Sequence, residues 1–144
     1  MFAYAYEPAS GTAVFYFSGT YNTDADFEHY LGAVDQLDTL AGGRADAAVV
    51  TVVEHGNPPP NAKWRQRIAE RSRTLRTQAI AVLVSTSPLI RGVMTVLNWL
   101  APQRFREQTV ASTFEEAVEW VERRLPHRGV VLRQLLDEAR AKSR

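Results

Sequence analysis

Two groups of polar residues follow apolar runs of strand length, and their residue types suit ligand binding. His55 and Asn57 come after the run 47–53, and three hydroxyl-bearing residues come after the run 79–84. Because the carboxyl ends of parallel strands meet at one edge of a sheet, we expect the two groups to lie close together. A helix beginning after the second run would add free N–H groups that suit an anion. The predicted site, for a small molecule or a phosphate, consists of His55, Asn57, Ser85, Thr86, Ser87 and Arg91.

These residues do not form a recognised catalytic or metal-binding motif. Ser87-Pro88 has the chemistry of a helix start, with a capping hydroxyl before a proline at the first helical position. The three histidines, at 29, 55 and 127, are far apart and belong to no metal-binding pattern. Cysteine is absent, which excludes thiolate metal sites, iron–sulfur clusters and cysteine nucleophiles. The sequence predicts a non-enzymatic protein without metal or cofactor; a small hydrolase or transferase using the strand-end loops is the remaining alternative.

The helix predicted at about 88–100 has an unusually wide apolar face, broken only by Arg91, Thr95 and Asn98. A helix on one face of a sheet usually shows an apolar stripe of about 100° or somewhat more, so this helix needs a cover besides the sheet. The predicted cover is the amphipathic helix at 130–142. Deletion of residues 127–144 should then expose the apolar face of the helix at 88–100. A second copy of the chain, a protein partner, an apolar ligand and a membrane surface are alternatives. The predicted partner-binding residues are Val93, Met94, Leu97, Trp99 and, on the preceding helix, Arg71.

That preceding helix, predicted at 61–76, is strongly basic. Glu70 is its single acid, against Lys63, Arg65, Arg67, Arg71, Arg73 and Arg76, whereas residues 1–54 carry eight acids and one base. Nucleic acid is a disfavoured partner, because no aromatic residues alternate with these bases and the pI is only about 8.1. The pattern favours a solvated helix face or a docking surface for an acidic protein. The thin apolar stripe of the helix makes Trp64 its expected anchor.

The elements that position these residues alternate along the chain. A β-hairpin is predicted at the start. The runs 47–53 and 79–84 and the short segment 108–111 predict three further strands, with helical patterns between the strands. The order ββαβαβαβα plus one helix predicts an α/β domain. Its sheet should be mixed and largely parallel, with an N-terminal hairpin, packed helices and one extra C-terminal helix.

Several of these runs, together with the element order, resemble the STAS superfamily and, within it, the SpoIIAA-like proteins. The runs are the strand at 47–53, the strand and helix start at 79–88, the helix 89–100 and the strand and helix at 109–120. The resemblance covers about residues 1–125 and leaves 126–144 as a C-terminal amphipathic extension. It implies a small sheet with packed helices and a role in protein regulation or ligand sensing. The outline likeness of such proteins to the lipid-binding CRAL-TRIO fold keeps an apolar ligand among the expectations.

The resemblance also implies a difference from the anti-sigma-factor antagonists of this superfamily. Those proteins carry a phosphorylatable serine in the loop after the third strand, whereas residues 54–61 of this chain contain no hydroxyl. The phosphorylation switch is therefore expected to be absent, and a partner-switching role is disfavoured. No signal peptide and no apolar run of membrane-spanning length is visible. We therefore expect a cytoplasmic regulatory or protein-interaction module, with a protein partner or homodimer, and a binder of an apolar or lipid-like ligand as the alternative.

Overall fold

The computed structural model describes residues 1–76, 78–97 and 105–144 in full, together with the backbone of residues 98–100. Ten elements follow one another along the chain. They are β1 (Phe2–Glu7), β2 (Thr12–Phe17), α1 (Asp24–Ala41), β3 (Ala48–Val53), α2 (Ala62–Ser72), β4 (Ile80–Val84), α3 (Pro88–Leu100), β5 (Glu107–Ala111), α4 (Phe114–Glu122) and α5 (Gly129–Lys142). Within the described residues, every helix is too short or too polar to cross a membrane.

The five strands form one sheet in chain order, from β1 at one edge to β5 at the other. β1 and β2 pair as an antiparallel hairpin, and the remaining neighbours are parallel. In the register of the central strands, Val14 lies opposite Val50 and Val50 opposite Val82. The predicted α/β architecture, with a mixed and largely parallel sheet and an N-terminal hairpin, is confirmed.

Local sequence chemistry sets the helix starts. Thr23 and Asp26 form a reciprocal capping box at the start of α1, and the Asn61 side chain accepts a hydrogen bond from the Trp64 N–H at the start of α2. Thr113 caps α4 in the same way. Such caps satisfy N–H groups that the helix leaves without partners. α2 is shorter than the predicted 61–76 and ends at Ser72.

The two faces of the sheet are covered by different helices. Phe27 of α1, Trp64 of α2 and Leu97 of α3 belong to one core, together with Phe15 and Val49 of the sheet. The core on the opposite face contains the buried residues of α4 and α5. Because the parallel strands lie side by side in chain order, crossovers of one hand bring all three connecting helices to the same face. α4 and α5 are therefore the helices left to cover the other face.

The structure corrects the prediction that the C-terminal helix covers α3. α5 packs across β1 and β2 on the face opposite to α3. Its buried residues Leu132, Leu135, Leu136 and Ala139 join the core formed by Val14, Tyr16 and Val50. The Arg128 guanidinium fixes the start of α5 by donating to the Thr12 hydroxyl (3.1 Å) and to the Asp46 carbonyl (2.9 Å). The amphipathic stripe of α5 correctly predicted that this helix packs against the fold, but the surface that it contacts is the β1–β2 hairpin.

Candidate functional site

A cavity of about 80 Å³ lies between the sheet and the three helices on the α1–α3 face. Its floor is formed near the carboxyl ends of β2, β3 and β4 by Phe17, Thr51, Val53 and Leu83. One wall is the inner face of α3, and the opposite side is formed by α1, by Ile68 of α2 and by the proline-rich loop before α2. Most of this lining is apolar. The cavity therefore lies where parallel α/β sheets usually bind their ligands.

The helices do not fully cover the centre of the sheet. Thr51 belongs to the central strand β3, in register between Phe15 and Leu83, and yet it is only half-buried. A second cavity, of about 40 Å³, lies on the same face toward the start of β3 and shares Thr51 and Tyr30 with the first. The two cavities are therefore adjacent, and together they follow β3 from Val49 to Val53.

The wide apolar face of α3 is divided between the cavity and the surface. Ile90 and Leu97 are buried, while Val93 and Met94 are half-buried, and all four line the cavity. The outer side of the helix exposes Leu89 by 70% and Val96 by 37%. Three predicted partner-binding residues, Val93, Met94 and Leu97, are thus brought together at the cavity. The side chain of Trp99, the fourth on this helix, lies outside the described residues.

Asn57 lies at the edge of the cavity, where its amide joins two loops. It is buried, and its Nδ2 donates to the carbonyls of Ser18 (3.0 Å) and Gly19 (3.1 Å). Its amide also exchanges hydrogen bonds with that of Asn22, at 2.9 and 3.1 Å. The Asn57 side chain is therefore used within the fold, where it holds the loop after β3 against the loop after β2.

The predicted anion-binding residues after β4 are close together but bind one another. The Arg91 guanidinium donates to the Ser85 carbonyl (3.1 and 3.0 Å) and to the Ser112 hydroxyl (3.0 Å), which ties the ends of β4 and β5 together. The Ser85 hydroxyl accepts from the N–H of Ser87 (3.1 Å), and the Ser87 hydroxyl accepts from the N–H of Ile90 (3.4 Å). These groups have the geometry of a helix cap, which is the alternative that Ser87-Pro88 indicated.

His55 and Thr86 are exposed. His55 has no hydrogen-bond partner among the residues that the structure describes, so the arrangement needed for a histidine-activated serine is not found there. The six predicted ligand-binding residues therefore separate into the Asn57 clamp, the capping network of Ser85, Ser87 and Arg91, and two exposed side chains.

The basic helix α2 faces the acidic helix α1. Lys63 pairs with Asp24 at 3.5 Å, and Arg67 and Arg71 pair with Glu28 and Asp35, respectively. The Trp64 indole N–H also donates to Asp24, at 2.8 Å, and this bond, together with the Lys63 charge, lowers the pKa of Asp24. A hydrogen bond from Arg67 likewise lowers the pKa of Glu28. Lys63, Arg67 and the predicted partner-binding residue Arg71 therefore have acidic partners within the fold.

The two hydroxyl-bearing residues that line the first cavity, Tyr30 and Thr51, were not among the predicted site residues. The hydroxyls of Tyr30 and Thr51 have no hydrogen-bond partner among the described residues, although both residues line the cavity. Thr51 is the only polar residue in the strand AVVTVV, and that interruption was the available signal. Tyr30 gave no separate signal, because it fits the apolar stripe of α1.

The chain matches no family model, no curated protein and no solved structure. Among the described residues, no group of three or more histidine, aspartate or glutamate side chains could hold a metal ion. The cavity and α3 are therefore the features of the chain that bear on its function.

Proposed function

We propose that this chain is a non-enzymatic STAS-like domain that binds a small apolar group in the cavity beneath α3. The observation that supports this most is the cavity of about 80 Å³, with its largely apolar lining, above the centre of the sheet. The half-buried state of Thr51 supports access to that space from outside. The hairpin and the parallel strands in chain order agree with the STAS-like part of the proposal.

The volume limits the size of the group that enters without rearrangement. It is roughly half of the 150 Å³ of an engineered apolar cavity, in another protein, that binds benzene. The cavity in its present form therefore suits a small apolar molecule or the end of a longer apolar chain. A ring the size of benzene requires Val93 and Met94 to move outward, and both are half-buried on α3.

Thermal denaturation with benzene as the probe tests this proposal. Benzene at about ten times its Kd should stabilise the folded protein by about 1.4 kcal/mol and raise Tm by several degrees. Val93→Phe places a ring in the cavity and should abolish this shift. Val96→Phe makes the same change on the exposed side of the same helix and should retain it. No shift in the wild-type protein, or equal shifts in the two variants, would contradict the proposal.

Self-association through the outer side of α3 is a second candidate function. Leu89, Gly92 and Val96 occur at helical spacing on this side, and all three are exposed. A two-fold pairing would place this stripe against its own copy, with Gly92 allowing close approach. Sedimentation equilibrium should then show a dimer that Leu89→Glu dissociates, with the benzene shift unchanged. A wild-type protein that stays monomeric across the concentrations of the assay would contradict this candidate.

A further inference from the structure

The strand β1, at one edge of the sheet, keeps backbone groups that point away from β2. Met1 and Ser18 exchange two backbone hydrogen bonds at the open end of the hairpin, at 2.7 and 2.8 Å. Because bonded and non-bonded pairs alternate along an antiparallel ladder, the residues of β1 that bond to β2 are the odd-numbered ones. The N–H and C=O groups of Phe2, Tyr4 and Tyr6 therefore point outward.

Two side chains bond to this outward backbone and leave the rest of it unpaired. The Phe2 N–H donates to Asp26 Oδ1 at 3.1 Å, and the Tyr4 carbonyl accepts from Lys142 Nζ at 3.0 Å. The N–H groups of Tyr4 and Tyr6 and the Tyr6 carbonyl have no hydrogen-bond partner within residues 1–76, 78–97 and 105–144. An unpaired edge of this kind is a template for another strand.

A groove of about 460 Å³ lies beside this edge, between β1, α1 and the end of α5. Tyr4 and Tyr6 line it from the strand and are half-buried. Leu40 lines it from α1 and is 51% exposed, so an apolar side chain there is left in water. The residues that line this groove differ from those that line the cavity beneath α3.

We propose that β1 pairs with β1 of a second copy of this chain, antiparallel and about a two-fold axis at Ala5. This register places Tyr4 opposite Tyr6 of the second copy. Each Tyr4 N–H then donates to a Tyr6 carbonyl, and each Tyr6 N–H donates to a Tyr4 carbonyl, which can accept a bond besides that from Lys142. The four bonds use the outward N–H groups that lack partners, and the facing tyrosine side chains add cross-strand contacts.

Charge complementarity favours a second copy as the occupant of this edge. Glu7 and Lys142 form no ion pair among the described residues. Because Ala5 belongs to the core on the α5 face, Ala3 and Glu7 lie on that face of the strand as well. The register places Glu7 opposite Ala3 of the second copy, and Lys142 of that copy reaches the edge at the next residue, Tyr4. Each Glu7 therefore comes close to a Lys142 across the interface.

Sedimentation equilibrium of the full chain tests this pairing, and the wild-type protein should form a dimer. Tyr4→Pro removes an outward N–H at an edge strand, where proline is tolerated. Tyr4→Ala is the matched control, because it loses the same side chain and keeps the N–H. The Kd of the dimer should rise by about fivefold in Tyr4→Ala and by about a further thirtyfold in Tyr4→Pro, which loses two backbone hydrogen bonds per dimer.

A charge exchange tests the register. Glu7→Lys and Lys142→Glu should each raise the Kd of the dimer by about tenfold, because each places two like-charged pairs at the interface. The double variant should restore the wild-type Kd within about twofold, since it rebuilds both pairs with their charges exchanged. This comparison still decides the proposal if thermal denaturation shows that Tyr4→Pro does not fold.

Three results would overturn the pairing through β1. A wild-type protein that is still monomeric at about 1 mM has too little affinity for itself, and a strand of another protein would then be the better occupant of the edge. Equal Kd values for Tyr4→Ala and Tyr4→Pro, or a double charge variant without rescue, would show that the dimer does not form in this way. A dimer that Leu89→Glu dissociates and the β1 variants leave intact would assign the association to α3. The shift in Tm with benzene should be the same in all these variants, so ligand binding is tested separately.

Discussion

Removal of α5 should unfold the domain, although α5 lies outside residues 1–125, the part of the chain predicted to form the STAS-like domain. Leu132, Leu135 and Leu136 are each at least 95% buried against the hairpin side of the sheet. Full burial of a leucine contributes about 1.5–3 kcal/mol, so the three together contribute about 5–9 kcal/mol. That amount is comparable to the whole free energy of unfolding of a typical domain, about 5–15 kcal/mol.

Point substitutions give the same test in a graded form. Leu132→Ala, at a position with no exposed surface, should lower the free energy of unfolding by about 2–5 kcal/mol. Val130→Ala on the same helix should change it by less than about 0.5 kcal/mol, because Val130 is 65% exposed. Urea denaturation followed by circular dichroism measures both. A protein truncated at residue 127 that unfolds cooperatively at the wild-type Tm would refute the placement of α5.

Three further predictions concern the positions of single side chains. Trp64→Ala should lower the free energy of unfolding by about 3–5 kcal/mol in the same assay, because Trp64 is fully buried and stacks on Phe27; a loss below about 1 kcal/mol would contradict its role as an anchor. Asn57→Ser should reduce Tm by removing the clamp between two loops, and mass spectrometry should find no phosphate on the new serine after incubation with a kinase that acts on STAS domains. Hydrogen bonding to Arg44 lowers the pKa of Asp46 in the folded protein to about 2. The contribution of Asp46 to the free energy of unfolding is therefore complete above its unfolded pKa of about 3.8. That contribution should disappear as the pH falls from about 4 to about 2, and Asp46→Asn should flatten this part of the acid-denaturation curve.

The elements of the fold could be predicted because each is encoded locally. The apolar run of β3, broken only by Thr51, identified a strand with helices on both faces. Thr23, with Asp26 three residues later, identified the start of α1. The end of α2 was predicted four residues too late, because its terminal bases continue a helical composition past the turn that follows Ser72.

The position of α5 could not be predicted, because an amphipathic stripe indicates burial without naming the surface that it meets. Chain-order strands place α1, α2 and α3 on one face and leave the other face uncovered, but strand order is a long-range property of the chain. The excess of acids in residues 1–54 and of bases in the helix predicted at 61–76 did not reveal the ion pairs between α1 and α2, because these are also long-range contacts. The acidic partners of Arg67 and Arg71 are on α1, 39 and 36 residues away along the chain.

The candidate site was predicted only in part. Val93, Met94 and Leu97 were identified from the excess apolar surface of α3, and they line the cavity. The loop residues Ser85, Ser87 and Arg91 were expected to face a ligand, but they satisfy one another, because a capping hydroxyl and a ligand-binding hydroxyl look the same in a sequence. Tyr30 lines the cavity from within the apolar stripe of α1, and no local pattern separates it from the other residues of that stripe.

A crystal structure of the protein under xenon pressure tests the central claim most directly. Xenon binds in apolar cavities without needing a polar partner, so its position reports whether the space beneath α3 exists and is accessible. The proposed function predicts a xenon atom in van der Waals contact with Thr51, Leu83 and Leu97, and its loss in Val93→Phe but not in Val96→Phe. A structure in which side chains fill this space and no xenon binds beneath α3 would contradict the account.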